Sequence, residues 1–264
     1  MINISEIIES WAKDAEGWSI SPGVGWLSAK RRIRVGTNVR IGADVEIGTC
    51  TRIYDDVEIG DGCSIGAFVT IYDLARIGKS VNVGDGVSIG AASWVGDFSE
   101  IGQGTIVSDH VRIGSNAEIG ECGRINVFSK IGGNVSIGNH HRFGEWSMVG
   151  DWNKIGDYAK FIADVGAANG FRYTLSDVRG TAYVGTSVDW LTLSDAIEYM
   201  ENNAEKDLRD SLCLMESAKA LAKLHNLRLG RNDGNGSHVE NNTNLKEEPY
   251  RSPPDALGDG FTPF

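Results

Sequence analysis

Between Ile33 and Asp164 apolar and polar positions recur with a strict period of six. The stretch opens IRVGTN, VRIGAD, VEIGTC and holds that register to AKFIAD. The third residues of the hexads run Val35, Ile41, Ile47, Ile53, Ile59, Ile65 and on to Ile155 and Phe161, and all 22 are Ile, Val or Phe. The following residue is Gly in 17 of the 22, and the residue two before the aliphatic is small or β-branched in nearly every hexad, as at Val39, Val45, Thr51, Cys63 and Ala75. A period of six fits no single helix and is too regular for separate hairpins. It predicts a solenoid in which each hexad supplies one short strand and one turn. Three hexads close a triangular coil, so 18 residues make one rung, and rungs stack at about 4.8 Å. The aliphatic column fills the axis, the small residue shares the interior near a corner, and the Gly is expected to let the chain turn without a Cβ in the way. No rung buries its apolar face alone, so stability comes from stacking.

Outside the coil the pattern changes. Ile4, Ile7, Ile8, Trp11 and Ala15 share one side of a helix predicted over Ile2 to Ala15. Glu16 to Arg32, punctuated by Gly17, Pro22, Gly23 and Gly25, is expected to form an irregular cap over the first rung, whose strand edges need cover. After Asp164, Phe171 to Leu175 and Ala182 to Val184 suit two strands, and Thr192-Leu193-Ser194-Asp195 suits a helix start. A longer helix is predicted over Leu208 to Leu229, with Leu208, Leu212, Met215, Ala218 and Ala222 on one side and Gly230 as its stop. From Arg231 the chain is rich in Asn, Gly and Pro with little to bury, which predicts disorder, with Phe261 and Phe264 as a terminal contact. The expected organisation is 1–32 helix and cap, 33–164 coil, 165–230 strands and helices, and 231–264 tail.

The pattern [Ile/Val]-Gly-x-x-[small]-x resembles the hexapeptide-repeat proteins. That resemblance, over half the chain, implies an all-β solenoid: a left-handed parallel β-helix, here with an N-terminal helical cap and a C-terminal α/β or helical appendage. It also implies a homotrimer and, for many members, acyl transfer from acyl-CoA or acyl carrier protein. The function it implies here is O- or N-acetyl transfer from acetyl-CoA, as co-substrate, to a small-molecule or glycan acceptor. The alternative is a non-enzymatic trimeric structural or binding protein. The unbroken coil favours that alternative, because acyltransferases of the family often extrude a loop that helps form the pocket.

One corner of the coil differs from the other two. The five departures from the turn Gly are Tyr54, Tyr72, Ser108, Asn126 and Ile162, separated by 18, 36, 18 and 36 residues, so all lie on one corner. Leu74, Ala92, His110, Phe128 and Trp146 then form an apolar and aromatic column along that edge. The structural expectation is a subunit interface. The chemical expectation centres on His110. Acyl transfer needs a base for the nucleophile's proton, a carboxylate to orient that base, and a donor for the oxyanion. His110, Asp109 and Asn126 are the candidates. Sugar-nucleotide and lipid A-type acyltransferases of the family often carry His-Asp-Cys-x-[Ile/Val/Leu]-Gly. The stretch Asp109-His110-Val111-Arg112-Ile113-Gly114 resembles it with His and Asp exchanged. Arg124, Arg142 and Lys160 recur at successive rungs on the adjoining face, a positive ladder suited to phosphates of a CoA-like ligand, with Trp146 beside it.

Net charge is −11, which argues against nucleic acid as a partner. No apolar run is long enough to span a membrane. Cys50, Cys63, Cys122 and Cys213 show no framework spacing, so reduced thiols and a cytoplasmic setting are expected. His141 takes a small-residue position and should point inward, and the remaining histidines do not converge, so no metal is expected. The C-terminal helix or tail is the expected surface for a protein partner.

Overall fold

The structure, a computed structural model, describes residues 2–15, 18–23, 25–168, 171–185, 190–202 and 209–227. The tail and the expected Phe261 and Phe264 contact lie outside these residues, as do Leu208 and Gly230. Strands of two or three residues follow each hexad from Ile33–Val35 to Lys154–Ile155, and the last strand of the coil, Lys160–Ala168, runs on into a hairpin. Successive hexads fall on three separate sheets, of eight, nine and twelve strands. Within the coil each strand pairs in parallel with the strand 18 residues on, as Ser64 with Asn82 and Thr70 with Ser88. The coil is therefore a three-sided parallel β-helix with one rung per 18 residues. Ile41, Ile47, Ile59, Ile65, Ile71, Ile89, Ile101, Ile113 and Ile125 are fully buried along its axis. Each such side chain stabilises the stack by roughly 1.5–3 kcal/mol.

Two hydrogen-bond ladders run beside the sheets. Inward Thr51, Cys63, Ser93, Ser99, Thr105 and Ser129 each donate to a turn carbonyl one rung on, at 2.8–3.0 Å. A buried hydroxyl is tolerated there because it is paired. Burial also pushes the Cys63 thiol up to about 11. On the outside, a carboxylate or amide oxygen at the second turn position accepts the turn N–H one rung below. Asp55, Asp61, Asp73, Asp85, Asp97, Asp109, Asn139, Asp151 and Asp157 all do so, at 2.6–3.0 Å.

The turn Gly has a different job from the one expected of it. The left-handed conformation falls two residues later, at every hexad from Arg32 to Tyr158, and Gly fills that position only at Gly62, Gly86 and Gly104. The turn Gly instead permits close stacking. A Cβ on Gly66 would lie 2.8 Å from both the Asp85 nitrogen and the Gly84 carbonyl carbon in the rung above. No Ile, Val or Thr occupies the left-handed column, as expected where β-branching is most strained. Asn116, exposed at φ 56°, tests this. Asn116→Val is expected to cost about 1–2 kcal/mol in denaturant unfolding, and Asn116→Gly close to nothing.

The N-terminal segment does not form the predicted helix. Only Ser5–Ile8 is helical, α1. Ile2–Asn3 pairs antiparallel with Glu46–Ile47, Ser19–Ile20 joins Ala12–Lys13 to Arg40–Ile41, and Gly25–Ser28 pairs with Ile33–Val35. Each of the three sheets thus has its first edge closed by a strand from this segment. The backbone groups of an open rung must be paired, and a continuous helix would leave them bare. Ile4 and Ile8 join the coil's core, whereas Ile7 and Ala15 are exposed.

Beyond the coil, Phe171–Val178, Thr181–Gly185 and Trp190–Thr192 extend one sheet as an antiparallel meander. Helices α2 (Leu193–Asn202) and α3 (Arg209–Leu224) cover it around Tyr173, Leu175, Val184, Leu193, Ile197, Met200, Met215, Ala218 and Ala222. Helix α3 stops before Gly230. Asn226 takes the left-handed conformation and donates to the Lys223 carbonyl, while Leu227 donates to the Ala222 carbonyl. That bond pair closes the helix end without glycine. Among the described residues no helix is long and apolar enough to cross a membrane.

Candidate functional site

Asn126, Val127 and Phe128 make one turn of the distinctive corner, and Ser108, Asp109 and His110 make the turn below it. The N–H of Phe128 donates to the Asp109 carbonyl at 3.2 Å, and that of Trp146 to the Val127 carbonyl at 3.1 Å. This registry places the rings of the column over one another. His110 lies parallel to Phe128, centroids 4.9 Å apart with 4° between planes, and Phe128 lies on Trp146 at 4.4 Å and 13°. All three residues have positive φ and are exposed, Trp146 by 67%. One face of Trp146 is taken by Phe128. Stacked rings of this kind contribute beyond their buried area.

The His110 ring is held by stacking alone, for no hydrogen bond reaches it among the described residues. Asp109 does not orient it. The Asp109 Oδ1 accepts the Ala91 N–H at 2.8 Å, the same bond that eight other turn residues make. Asn126 is half-buried, with its backbone N–H on the Phe143 carbonyl at 3.2 Å. Its side-chain amide has no partner among the described residues.

Arg124, Arg142 and Lys160 are register neighbours on the strands entering this corner. All three are exposed and form no ion pair among the described residues. The strands leaving the corner carry two further cations that the sequence reading missed. Arg112 and Lys130 are register neighbours there, with Trp94 before them and Met148 after. Their 18-residue spacing was the available signal. The aromatic column is therefore bordered by cations on both faces. The third face has Glu100 beside Glu118. The corner itself carries the acids Asp109 and Glu145 beside the rings.

The other histidines lie elsewhere. His140 is on a second corner, stacked on Tyr158 at 4.8 Å, with the Arg179 guanidinium 4.8 Å from the other ring centre. His141 points inward and is fully buried. Its Nδ1 lies 2.9 Å from the Gly138 carbonyl, and its Nε2 has no partner. Gly123, one rung below, leaves the room for this ring, since a Cβ there would fall among the imidazole atoms. Burial pulls the His141 pKa down to about 4. The Gly138 carbonyl opposes that shift, and neighbouring His140 adds to it. Among the described residues no three His, Cys, Asp or Glu side chains are grouped to hold a metal ion.

Comparison with known proteins places the repeat. Residues 38–73 match the family described as Bacterial transferase hexapeptide (six repeats). No curated protein matches the chain. Solved structures similar to it include LpxA, a UDP-N-acetylglucosamine acyltransferase from Bacteroides fragilis, at 21% identity over 50% of this chain and 55% of that one, TM-score 0.41. The acetyltransferase domain of PglB from Neisseria gonorrhoeae, in complex with acetyl coenzyme A, is 13% identical over 49% and 57%, TM-score 0.29. The UDP-N-acetylglucosamine acyltransferase from Campylobacter jejuni is 17% identical over 73% and 74%, TM-score 0.35. The chain thus spans little more than half the length of the first two, and likeness at these levels says nothing of activity. The 18-residue rung runs unbroken from the matched residues to the end of the coil, and the coil of this chain is a hexapeptide-repeat β-helix.

Proposed function

We propose that the chain is an acyltransferase that moves an acetyl group from acetyl-CoA to a hydroxyl or amine of a small-molecule or glycan acceptor. The observation that carries this reading is the exposed His110–Phe128–Trp146 stack between two cation ladders. In this reading His110 takes the proton of the acceptor as the new bond to the acyl carbon forms, and returns it to the departing thiolate as the carbon–sulfur bond breaks. The free amide of Asn126 donates to the oxyanion. Asp109 acts as a fastener for the turn that carries His110. Arg124, Arg142 and Lys160 hold the phosphates of the co-substrate, and the open face of Trp146 takes its planar ring system. The active form is a cytoplasmic homotrimer whose prisms meet near this edge.

A second reading is a trimeric scaffold without catalysis. It is favoured by the exposure of Leu74, Phe128 and Trp146 along the one edge and of Trp94 and Met148 on the face beside it, a composition suited to a sealed interface. Calorimetry with CoA and acetyl-CoA on the purified chain, with its oligomeric mass measured in the same preparation, separates the two. Micromolar binding to a trimer is expected. A folded trimer that binds neither compound rejects the transferase.

A further inference from the structure

The acid face and one cation face of the coil share a corner. The chain turns at Phe98 between the strands of Trp94 and Glu100, and at Trp152 between those of Met148 and Lys154. Trp94, Phe98, Met148 and Trp152 are all exposed, outside both hydrophobic cores. Apolar surface gathered along one edge marks a contact surface. On the acid face Glu100 and Glu118 are register neighbours, and on the cation face Arg112 and Lys130 are. All four are exposed and form no ion pair among the described residues. Like charges on neighbouring strands are unfavourable, and charge of the other sign between them relieves the pair. Within one chain the two pairs lie on different sides of the prism, so neither relieves the other.

Two copies with parallel axes and no axial shift can bring the acid face of one against the cation face of the next. Glu118 stands six residues after Arg112 and twelve before Lys130 in the sequence. At one strand spacing per rung, that is about 1.6 Å above the first and about 3.2 Å below the second along the axis. Its carboxylate then falls between two cations. Glu58 falls in the same way between Arg40 and Arg76 within the chain and pairs with both, at 3.5 and 3.4 Å. The other two corners fit less well. Around the His110 corner both faces are cationic, with Arg112 and Lys130 on one and Arg124, Arg142 and Lys160 on the other. Around the Cys122 corner the acid face adjoins the Arg124 ladder, but the turn column there passes through Gly86 and Gly104 and has no ring between Phe68 and His140.

We propose that copies of this chain pack in a closed ring, the Glu100–Glu118 face of one against the Arg112–Lys130 face of the next, with Phe98 and Trp152 toward the centre. The proposal rests on the trimer of the reading above and assigns the faces that build it. It leaves Arg124, Arg142 and Lys160 free. It also sets the His110 edge, the far border of the cation face, at the outer mouth of each contact. Light scattering on the size-fractionated full chain, with the dissociation constant taken from a dilution series, tests it. Glu118→Lys and Lys130→Glu are each expected to weaken assembly about ten-fold or more, and the two changes in one chain to restore it. Arg124→Glu, on the face left free, is expected to assemble as the wild type does. Single reversals that assemble like the wild type, a double variant as weak as the singles, or a larger loss in Arg124→Glu than in Lys130→Glu overturns the pairing of faces and leaves the trimer standing. A monomeric wild type overturns the pairing and the trimer together, while acetyl-CoA binding, measured separately, decides acyl transfer.

Discussion

His110→Ala is expected to lower acyl transfer by about 10²–10⁴-fold, the usual contribution of a positioned acid–base group. The fold should survive, because His110 is exposed and its backbone turn is held by the His110 N–H on the Ala91 carbonyl at 2.8 Å, a bond the alanine keeps. A companion variant separates positioning from fastening. Asp109→Asn retains an oxygen to accept the Ala91 N–H, so it should leave kcat close to that of the wild type. If Asp109 oriented the imidazole through its charge, Asp109→Asn would fall toward the level of His110→Ala. Turnover unaffected by His110→Ala removes His110 from the mechanism and leaves the scaffold reading in possession of the edge.

The second large effect is on stability in acid. His141 has a folded-state pKa of about 4, below the ordinary 6.5. As pH falls through 6.5 the unfolded chain takes up a proton that the folded chain refuses. The stability due to this difference is complete above pH 6.5, is lost progressively as pH falls to 4, and is fully gone below that. The loss approaches 1.4 kcal/mol per pH unit and totals about 3 kcal/mol. Apart from the Gly138 carbonyl at Nδ1, no group among the described residues meets the charge, since the Nε2 has no partner and Phe143 packs 5.3 Å away. His141→Ser substitutes the residue type that fills the equivalent inward position of the hexad, on another corner, at Ser129 and Ser147. Denaturant unfolding of both proteins from pH 7.5 to 4 should show a shallower acid limb for the serine variant. Parallel limbs would mean that His141 is protonated in the fold or that the coil's end opens to admit water.

Much of this architecture was legible because a six-residue period leaves few geometries. The aliphatic column, the inward Cys63 and His141, the neighbourhood of Phe128 and Trp146, and the placement of His140 under Tyr158 all follow from counting by 18. Other features were hidden for definite reasons. Ile4, Ile7 and Ile8 have helical spacing, yet one turn is enough to bury Ile4 and Ile8, and strands of two residues are too short to show a period. Asp109 adjoins His110 in sequence, so a catalytic pairing suggested itself, while its Oδ1 is engaged one rung below. The warning was present in Asp55, Asp73, Asp97 and Asp157, which hold the same hexad position with no histidine after them. The turn glycines drew attention to themselves, and the strained position two residues later went unnoticed because it tolerates Phe, Leu, Trp and His alike.

The ladder of turn carboxylates has a consequence for how such a chain can change its length. Every fastening spans 18 residues, so a duplication or excision of that length reproduces each bond with a new neighbour of the same kind. A change of six residues also keeps the interior filled, but it carries everything downstream one side further round the prism. Arg124, Arg142 and Lys160 would then no longer share a column with Arg34 and Arg52, and the rings of Phe128 and Trp146 would leave the edge that holds Leu74. A change of one residue breaks the ladder outright. The coil can therefore grow or shrink over generations in whole turns with its chemistry intact, in thirds of a turn by redistributing that chemistry, and in single residues hardly at all.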